Sequence, residues 1–590
     1  MKNKLSIWSL LLCYSLMFIA GFIYFPKWEM TDNEATISWD VSGYYLYLPA
    51  TFIYKDVKKL SFNDSMLAKY KSSPLFQAFK HESGNYVMKY PAGQAVMMSP
   101  FFFIGHAIAS SSDKYPADGF SYPYQKAIGI GMFLYALIGL FVLRKVLLRY
   151  YKDSTVAIVL IALVYGTNYL DFSSIDQGMT HNTLFMLYSI VLYQTIIFYE
   201  KLQFRRLYFI AFLIGLMTLI RPTEVITVII TVFWGISSWS EFKQRLVFIA
   251  QHFLKYTGCI VPFLAVISLQ FIYWKWVSGS WIVYSYEDQG FTWFPPHLKN
   301  YLFSYRSGWL LYCPMMILAF VGVLPYVARK QNILAVGFYF FVSLYIVSAW
   351  DIWWYGGRAM IQSYPMLAFI MAAFIQFIHT KRLYKYLFYP FFVFFIYYNL
   401  WWTHHSHRGN IQVVESTKSY FWATVCRWEE KEDDKKLLDN PDRFPNPKPI
   451  LRPLYTIRLS EHIDSLESNI DKVNNSINLN KTNQFSPRLS FQWIHPKTEW
   501  IRVSANFKAM PKEWEIWKMT QMVVEFKYKG NIIKSNLLRL HRLLNTDEWK
   551  DIDMDVKVPK GQIDRVEINF WNAGSENAIL IQDIQIMSME

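Results

Sequence analysis

Charged residues are scarce in this chain. Only 17% of its 590 residues are Asp, Glu, Lys or Arg, against roughly 25% in an ordinary globular domain. Cysteine is scarcer still. Cys13, Cys259 and Cys313 sit in apolar segments and Cys426 stands alone outside them, so neither a disulfide framework nor a Cys-x-x-Cys metal site is expected. No glycine-rich phosphate loop follows a strand pattern, which excludes a nucleotide-binding fold of that type. No internal repeat is visible. The net charge of +15 is not a polyanion-binding surface, because most of the excess Lys and Arg lies in short clusters between apolar runs. Such clusters set membrane topology, and nucleic acid is therefore not an expected partner.

What the chain has instead is apolar and aromatic: 53% hydrophobic and 19% Phe, Trp or Tyr. That composition suits a surface facing lipid, with Trp and Tyr at the membrane boundaries. The first apolar run, Leu5 to Phe25, follows Lys2 and Lys4. It has no small-x-small cleavage site and is long enough to span, so it reads as an uncleaved anchor with its N-terminus in the cytoplasm. Further runs follow at 127–143, 155–171, 182–199, 207–221, 223–239, 247–274, 309–328, 333–350, 359–378 and 385–402. Alternate junctions are basic, among them Arg144-Lys145, Arg205-Arg206, Lys243 with Arg245, Arg329-Lys330 and Lys381-Arg382. The positive-inside rule then gives about eleven transmembrane helices. The outward loops are 26–126, 172–181, 221–223, 275–308 and 351–358, and everything after Trp402 is also outside. Ala95 to Ala109 is apolar but short for a span, and it reads as an interfacial or re-entrant helix.

After Trp402 the pattern changes. Residues 403–484 read as a linker. In it His404, His405 and His407 find no carboxylate or Cys nearby in sequence to complete a metal site. Residues 485–590 alternate with period two, as in Ile501, Val503, Ala505 and Phe507, or Met522, Val524, Phe526 and Tyr528. Short strands bounded by turns such as Lys529-Gly530-Asn531 predict an all-β sandwich. Its last two strands resemble those of jelly-roll carbohydrate-binding modules. A sandwich that binds nothing and only packs on the membrane part is the alternative. The expected fold is thus an all-α polytopic membrane domain over 1–402 followed by a jelly-roll-like all-β sandwich.

The outward loops carry the candidate site. Asp40, Tyr44 and Tyr47 share one face of a short helix by their spacing. A carboxylate backed by aromatics suits a general base, while a plain helix cap is the simpler role. Lys89-Tyr90-Pro91-Ala92-Gly93 follows, then Asp171, Asp176 and His181, then Arg221 and Glu224, Tyr286, Arg306, and Trp353-Trp354-Tyr355-Gly356-Gly357-Arg358. Arginines on the outward side run against the topological trend. They are either snorkelling interface residues or the holders of an anionic ligand such as a phosphate.

Taken in order, these segments resemble the GT-C superfamily of polytopic glycosyltransferases, in its family 39-like branch with the protein O-mannosyltransferases and aminoarabinose transferases. The features are Asp40 with Tyr44 a turn later, Tyr90-Pro91-x-Gly93 before a short helix, Leu302 to Gly308, and Trp353 to Gly357. Many relatives carry Asp-Glu where this chain has Asp40-Val41, and Gly-x-Arg-Tyr where it has Ile361-Gln362-Ser363-Tyr364. The resemblance implies transfer of a sugar from a polyprenyl-phosphate donor to a glycan, lipid or protein acceptor at the outer face of the inner membrane. Asp40 would be the catalytic base. Arg306, Arg358, Lys89 and Arg221 would bind the donor phosphate. Tyr44, Tyr47, Tyr90, Asp176, His181, Tyr286, Trp353 and Trp354 would line the pocket. No cofactor is expected, and no ligand set supports a divalent metal. A transporter, or a lipid-linked glycan ligase or polymerase, is the alternative. Transporters place charge near the bilayer midplane, often in repeated halves, and these apolar runs are nearly free of charge.

Overall fold

Long apolar runs leave the backbone no partner but itself, and helices are what they form. The computed structural model describes residues 4–73, 76–286, 289–350, 355–412, 416–446, 448–456, 470–471, 476–509, 518–544 and 547–590. The chain divides into a helical unit, Met1–His407, and a β unit, Arg408–Glu590.

In the helical unit, among the described residues, five helical stretches are long and apolar enough to cross a membrane: Lys4–Glu29, Tyr122–Leu147, Thr180–Lys201, Phe253–Ser278 and Gly356–Ile378. Shorter apolar helices occupy Asp153–Gly166, Pro222–Phe233, Pro314–Ala328 and Leu334–Ala349. Two further helices run over Phe204–Ile220 and Arg382–His407. Large apolar side chains such as Trp8, Ile23, Val261 and Leu324 are exposed on these elements. Such a surface suits contact with lipid.

The basic junctions gather at one end of this unit. The backbone N–H groups of Leu5 and Ser6 donate to Asp153, Arg144 Nε donates to Ser6 Oγ at 2.8 Å, and Arg329 Nη2 donates to the Tyr150 carbonyl at 3.0 Å. Arg245 holds the carbonyls of Val232 and Trp234, each at 2.8 Å. The helix Gly93–Ser110 includes the apolar run from Ala95 to Ala109. Tyr135 donates to the carbonyl of Met97 near its start, and Gly105 packs against Pro123 and Tyr124 near its end. It therefore lies beside only the first half of Tyr122–Leu147.

The β unit forms two antiparallel sheets over one core. With the hairpin of the helical unit taken as β1 (Ala78–Lys80) and β2 (Tyr86–Met88), its strands are β3 (Leu451–Thr456), β4 (Ile470–Asp471), β5 (Ser476–Leu479), β6 (Leu489–Gln492), β7 (Trp500–Lys508), β8 (Gln521–Tyr528), β9 (Asn531–Arg539), β10 (Lys550–Lys557), β11 (Arg565–Trp571) and β12 (Ile579–Met589). One sheet has the order β10-β7-β12-β5-β4, with β3 also paired to β12, and the other is β6-β11-β8-β9. Ile501, Val503 and Phe507 of the first sheet meet Val524, Phe526 and Ile568 of the second in a fully buried cluster. The period-two side chains of the sequence are the ones turned inward. Strands β3 and β5 lie within 403–484, the stretch read as linker. They are short: Pro453 sits inside β3, and the alternation Ser476-Ile477-Asn478-Leu479 of β5 lasts only four residues. Residues before them also join this unit: Asp439 pairs with Arg539 and Arg542, and Lys436 with Asp553.

Candidate functional site

Asp40 stands in the first turn of the helix Trp39–Tyr45, whose N-cap is Ser38. It is not the cap, and its carboxylate bonds side chains from two other segments. Oδ2 accepts from Arg358 Nη2 at 2.8 Å and Oδ1 from the Tyr90 hydroxyl at 2.8 Å. The pair is only partly shielded, with side chains 30% and 24% exposed. Asp40 follows a strained residue, since Trp39 is a non-glycine with φ +45°. Residues held in that region cost of order 1–3 kcal/mol and concentrate at functional sites.

Local chemistry explains how three distant segments meet here. Gly43 faces the Tyr90 ring; a Cβ there would lie 2.7 Å from its carbons, so any other residue would push Tyr90 off the helix that carries Asp40. Gly356 and Gly357 are both left-handed, with φ +56° and +61°, a turn that glycine alone adopts without strain. Asn168 Nδ2 donates to the Gly356 carbonyl and the Tyr301 hydroxyl to that of Gly357, both at 2.9 Å. That doubly anchored turn delivers Arg358 to Asp40.

Aromatic rings surround the pair. Tyr44 packs on Tyr90 with centroids 4.4 Å apart, and Tyr286 meets Tyr90 edge-on at 5.9 Å. Lys89 Nζ sits 5.6 Å from the centre of the Tyr90 ring and 6.0 Å from that of Tyr286. The Tyr47 hydroxyl donates to the Tyr90 carbonyl at 2.8 Å, fixing the loop from behind. Burial and then the Asp40 charge push the Tyr90 phenol well above its ordinary value, so it stays a donor. Tyr44 is shifted upward by the same two causes in the same order. The cavity beneath the helix, lined by Ser42, Leu46, Asn63 and Gln77, does not include Asp40 or Tyr90.

Arg221 joins from the end of Phe204–Ile220. Its guanidinium stands beside the Tyr44 phenol, and its Nη2 lies 3.5 Å from His181 Nε2. Among the described residues, neither Arg221 nor Lys89 has a carboxylate within salt-bridge distance, in contrast to Arg358. Asp176 sits nearby in a second cluster with Lys27, Asp171 and His407. Lys27 Nζ and Asp176 Oδ1 are 2.5 Å apart, as are His407 Nε2 and Asp171 Oδ1. Burial would raise Asp176, but Lys27, His407 and Arg358 hold it below the usual carboxylate value. Burial would lower His407, but Asp171 and then Asp176 hold it above the usual imidazole value.

The fold thus brings together Asp40, Tyr44, Tyr47, Tyr90, Lys89, Arg221, Arg358, His181 and Tyr286, with Asp176 adjoining. Arg306 is on an exposed turn, where its backbone N–H donates to Ser304 Oγ. Trp353 and Trp354 lie outside the described residues. The sequence reading missed Gln362, which bonds His181, as well as Lys27, and it set His407 aside for want of a carboxylate. The two that join His407 come from more than 200 positions earlier. Asp171, Asp176 and His407 are spaced as metal ligands are. The Lys27 ammonium on Asp176 balances the charge that a cation would otherwise supply, and no metal is assigned.

No family model matches the chain, and no curated relative matches it. Among solved structures it is similar to the arabinosyltransferase EmbB from Mycobacterium smegmatis, determined by cryo-electron microscopy. The TM-score is 0.33 and the identity 10%, over 79% of this chain and 58% of that one.

Proposed function

We propose that this protein is an integral inner-membrane glycosyltransferase that moves a sugar from a polyprenyl-phosphate donor to an envelope acceptor at the outer face. The observation that carries this reading is one carboxylate, Asp40, set between a tyrosine donor and an arginine, with the further cations Lys89 and Arg221 in the same aromatic basin. A base beside an anion-holding surface is the equipment for taking a proton from a hydroxyl while a phosphate departs.

The topology follows the same reading. Five of the eleven apolar runs of the sequence overlap helical stretches long and apolar enough to cross a membrane, and the others overlap shorter, broken or less apolar helices. The basic junctions collect at one end and Asp40, Tyr90, Arg221 and Arg358 at the other. The positive-inside rule puts the latter outside, together with the β unit. A helix that runs beside only half of its neighbour suits an outer-leaflet, re-entrant placement of Gly93–Ser110.

In the proposed reaction, the acceptor hydroxyl replaces the Tyr90 hydroxyl on Asp40 Oδ1 and gives up its proton there. The acceptor oxygen bonds to the anomeric carbon. The bond from that carbon to the phosphate oxygen breaks, and its electron pair leaves with the polyprenyl phosphate. Lys89, Arg221 and Arg358 stabilise the phosphate's growing charge, and the rings of Tyr44, Tyr90 and Tyr286 face the sugar. The assignment of Arg306 to the phosphate, and of Trp353 and Trp354 to the pocket, rests on the sequence resemblance. The same donor chemistry would serve a glycan ligase.

The test is Asp40→Asn in the purified protein. A general base is worth typically about 10²–10⁴-fold, so sugar transfer should fall by that factor while expression and melting stay near wild type. An Asp40→Asn protein that transfers sugar at the normal rate would end this mechanism.

A further inference from the structure

Behind Arg221 lies a line of buried polar groups that the reaction itself does not use. His181 is fully buried, as is most of Gln362, and Glu224 is 4% exposed. Gln362 Nε2 lies 3.2 Å from Glu224 Oε1, and His181 Nδ1 lies 3.1 Å from Gln362 Oε1. The Tyr188 hydroxyl donates to the other Glu224 oxygen. The directions follow from how the groups are placed. The Gln362 amide turns its nitrogen to Glu224 Oε1 and its oxygen to His181. That oxygen requires a proton on Nδ1. The lone pair of a neutral imidazole then falls on Nε2, the atom facing Arg221 Nη2 at 3.5 Å. A guanidinium has only donors, so Nε2 is the single ring atom that can face it without repulsion.

We infer that His181, Gln362 and Glu224 are positioning residues: a one-way relay that aims the Arg221 guanidinium at the phosphate of an anionic lipid. The relay links the buried Glu224 carboxylate to Arg221 through two neutral groups instead of by direct contact. A direct ion pair would keep the cation's charge on the protein throughout, since Glu224, unlike the Asp40 that pairs with Arg358, takes up no proton in the proposed reaction. The relay fixes the guanidinium's direction and leaves its charge for a ligand. This inference rests on the donor-phosphate reading above and adds to it what holds Arg221 in place.

The test uses the full chain in nanodiscs, with undecaprenyl phosphate as the probe and uncharged undecaprenol as the control. Wild type should bind the phosphate at least about tenfold tighter than the alcohol, the scale of a hydrogen bond to a charged group. His181→Gln supplies an amide oxygen for Arg221 and an amide nitrogen for Gln362, and it should keep most of that preference. His181→Phe keeps ring and bulk and should lose it. Gln362→Met, which removes the group that fixes the His181 proton, should lose it as well. A role in packing alone predicts the reverse order, with Phe tolerated better than Gln. If His181→Phe does not fold, judged by its melting without ligand, Gln362→Met decides by the same criterion. Equal binding of phosphate and alcohol by wild type would overturn the donor reading and the relay's purpose together. A wild-type preference that survives in His181→Phe and Gln362→Met, or that is lost equally in His181→Gln, would overturn the relay alone.

Discussion

At one end of the helical unit the arginines settle on neutral groups and on their neighbours. Arg144 bonds a serine, Arg245 and Arg329 bond backbone carbonyls, and Arg149 pairs with Glu200 at the surface. At the other end Arg358 converges on a single carboxylate, and Arg221 meets a histidine. The residue type is the same and the partners differ. A cation that sets topology needs only water or a carbonyl nearby. In the proposed mechanism a cation that serves chemistry is fixed by groups that are themselves fixed, the glycine turn beneath Arg358 and the proposed relay behind Arg221. Basic residues alone therefore do not mark a site in a membrane protein; the rigidity of what holds them does.

That comparison can be broken most directly at Arg358. Arg358→Lys keeps the charge but loses the planar fork, and turnover should drop roughly 10²-fold, as when one transition-state donor is removed. The same change at Arg149 should leave turnover within about twofold, since exposed pairs contribute little. Equal losses at both would erase the distinction between the two ends.

A smaller effect belongs to the turn. Gly357→Ala puts a Cβ 2.5 Å from that of Trp309 on a left-handed residue. It should cost about 1–3 kcal/mol, read as a lower melting temperature, and should lower turnover about tenfold by moving Arg358. Normal stability and turnover in Gly357→Ala would mean that the turn does not hold the site.

The cluster around His407 gives a pH dependence. A histidine raised in the folded state contributes stability that is fully present below its unfolded value, about 6.5, and is lost as pH rises through the folded value. Asp176 is lowered, so its contribution is present above its unfolded value, about 3.9, and is lost as pH falls. Melting should therefore be best in the weakly acidic range and decline on going alkaline. His407→Gln should abolish the alkaline decline. A wild-type curve that stays flat above neutrality would show that His407 is not held protonated by Asp171 and Asp176.

The smallest effect is at Glu200. Glu200→Gln breaks a pair whose side chains are 34% and 46% exposed. It should change stability by less than about 1 kcal/mol and leave transfer untouched. A larger loss would mean that this end does more than orient the chain.

Much of the architecture was legible because its signals are periodic. Apolar runs and basic junctions are local, and so is the alternation of Ile501, Val503, Ala505 and Phe507. The site was legible in part. Asp40, Tyr90, Arg221 and Arg358 each stood beside a turn or helix end on the expected outward side. Their mutual contacts were not legible, because Asp40 and Arg358 are separated by 318 positions. The role of Gln362 was hidden for a different reason. It stands beside Ser363 between apolar runs, and only the contact with Glu224 across the fold gives its amide a direction. Strands β3 and β5 escaped notice because each is too short to show a period.

The central claim is that an outward Asp40 site consumes a polyprenyl-phosphate-linked sugar. It is tested most directly by mass spectrometry of lipid-linked sugars and envelope glycans in a strain lacking this protein, complemented with wild type or with Asp40→Asn. The account predicts that the deletion strain accumulates one polyprenyl-phosphate sugar and loses that sugar from an envelope glycan, that wild type restores both, and that Asp40→Asn restores neither. Unchanged lipid-linked sugars and glycans in the deletion strain, or full restoration by Asp40→Asn, would contradict it.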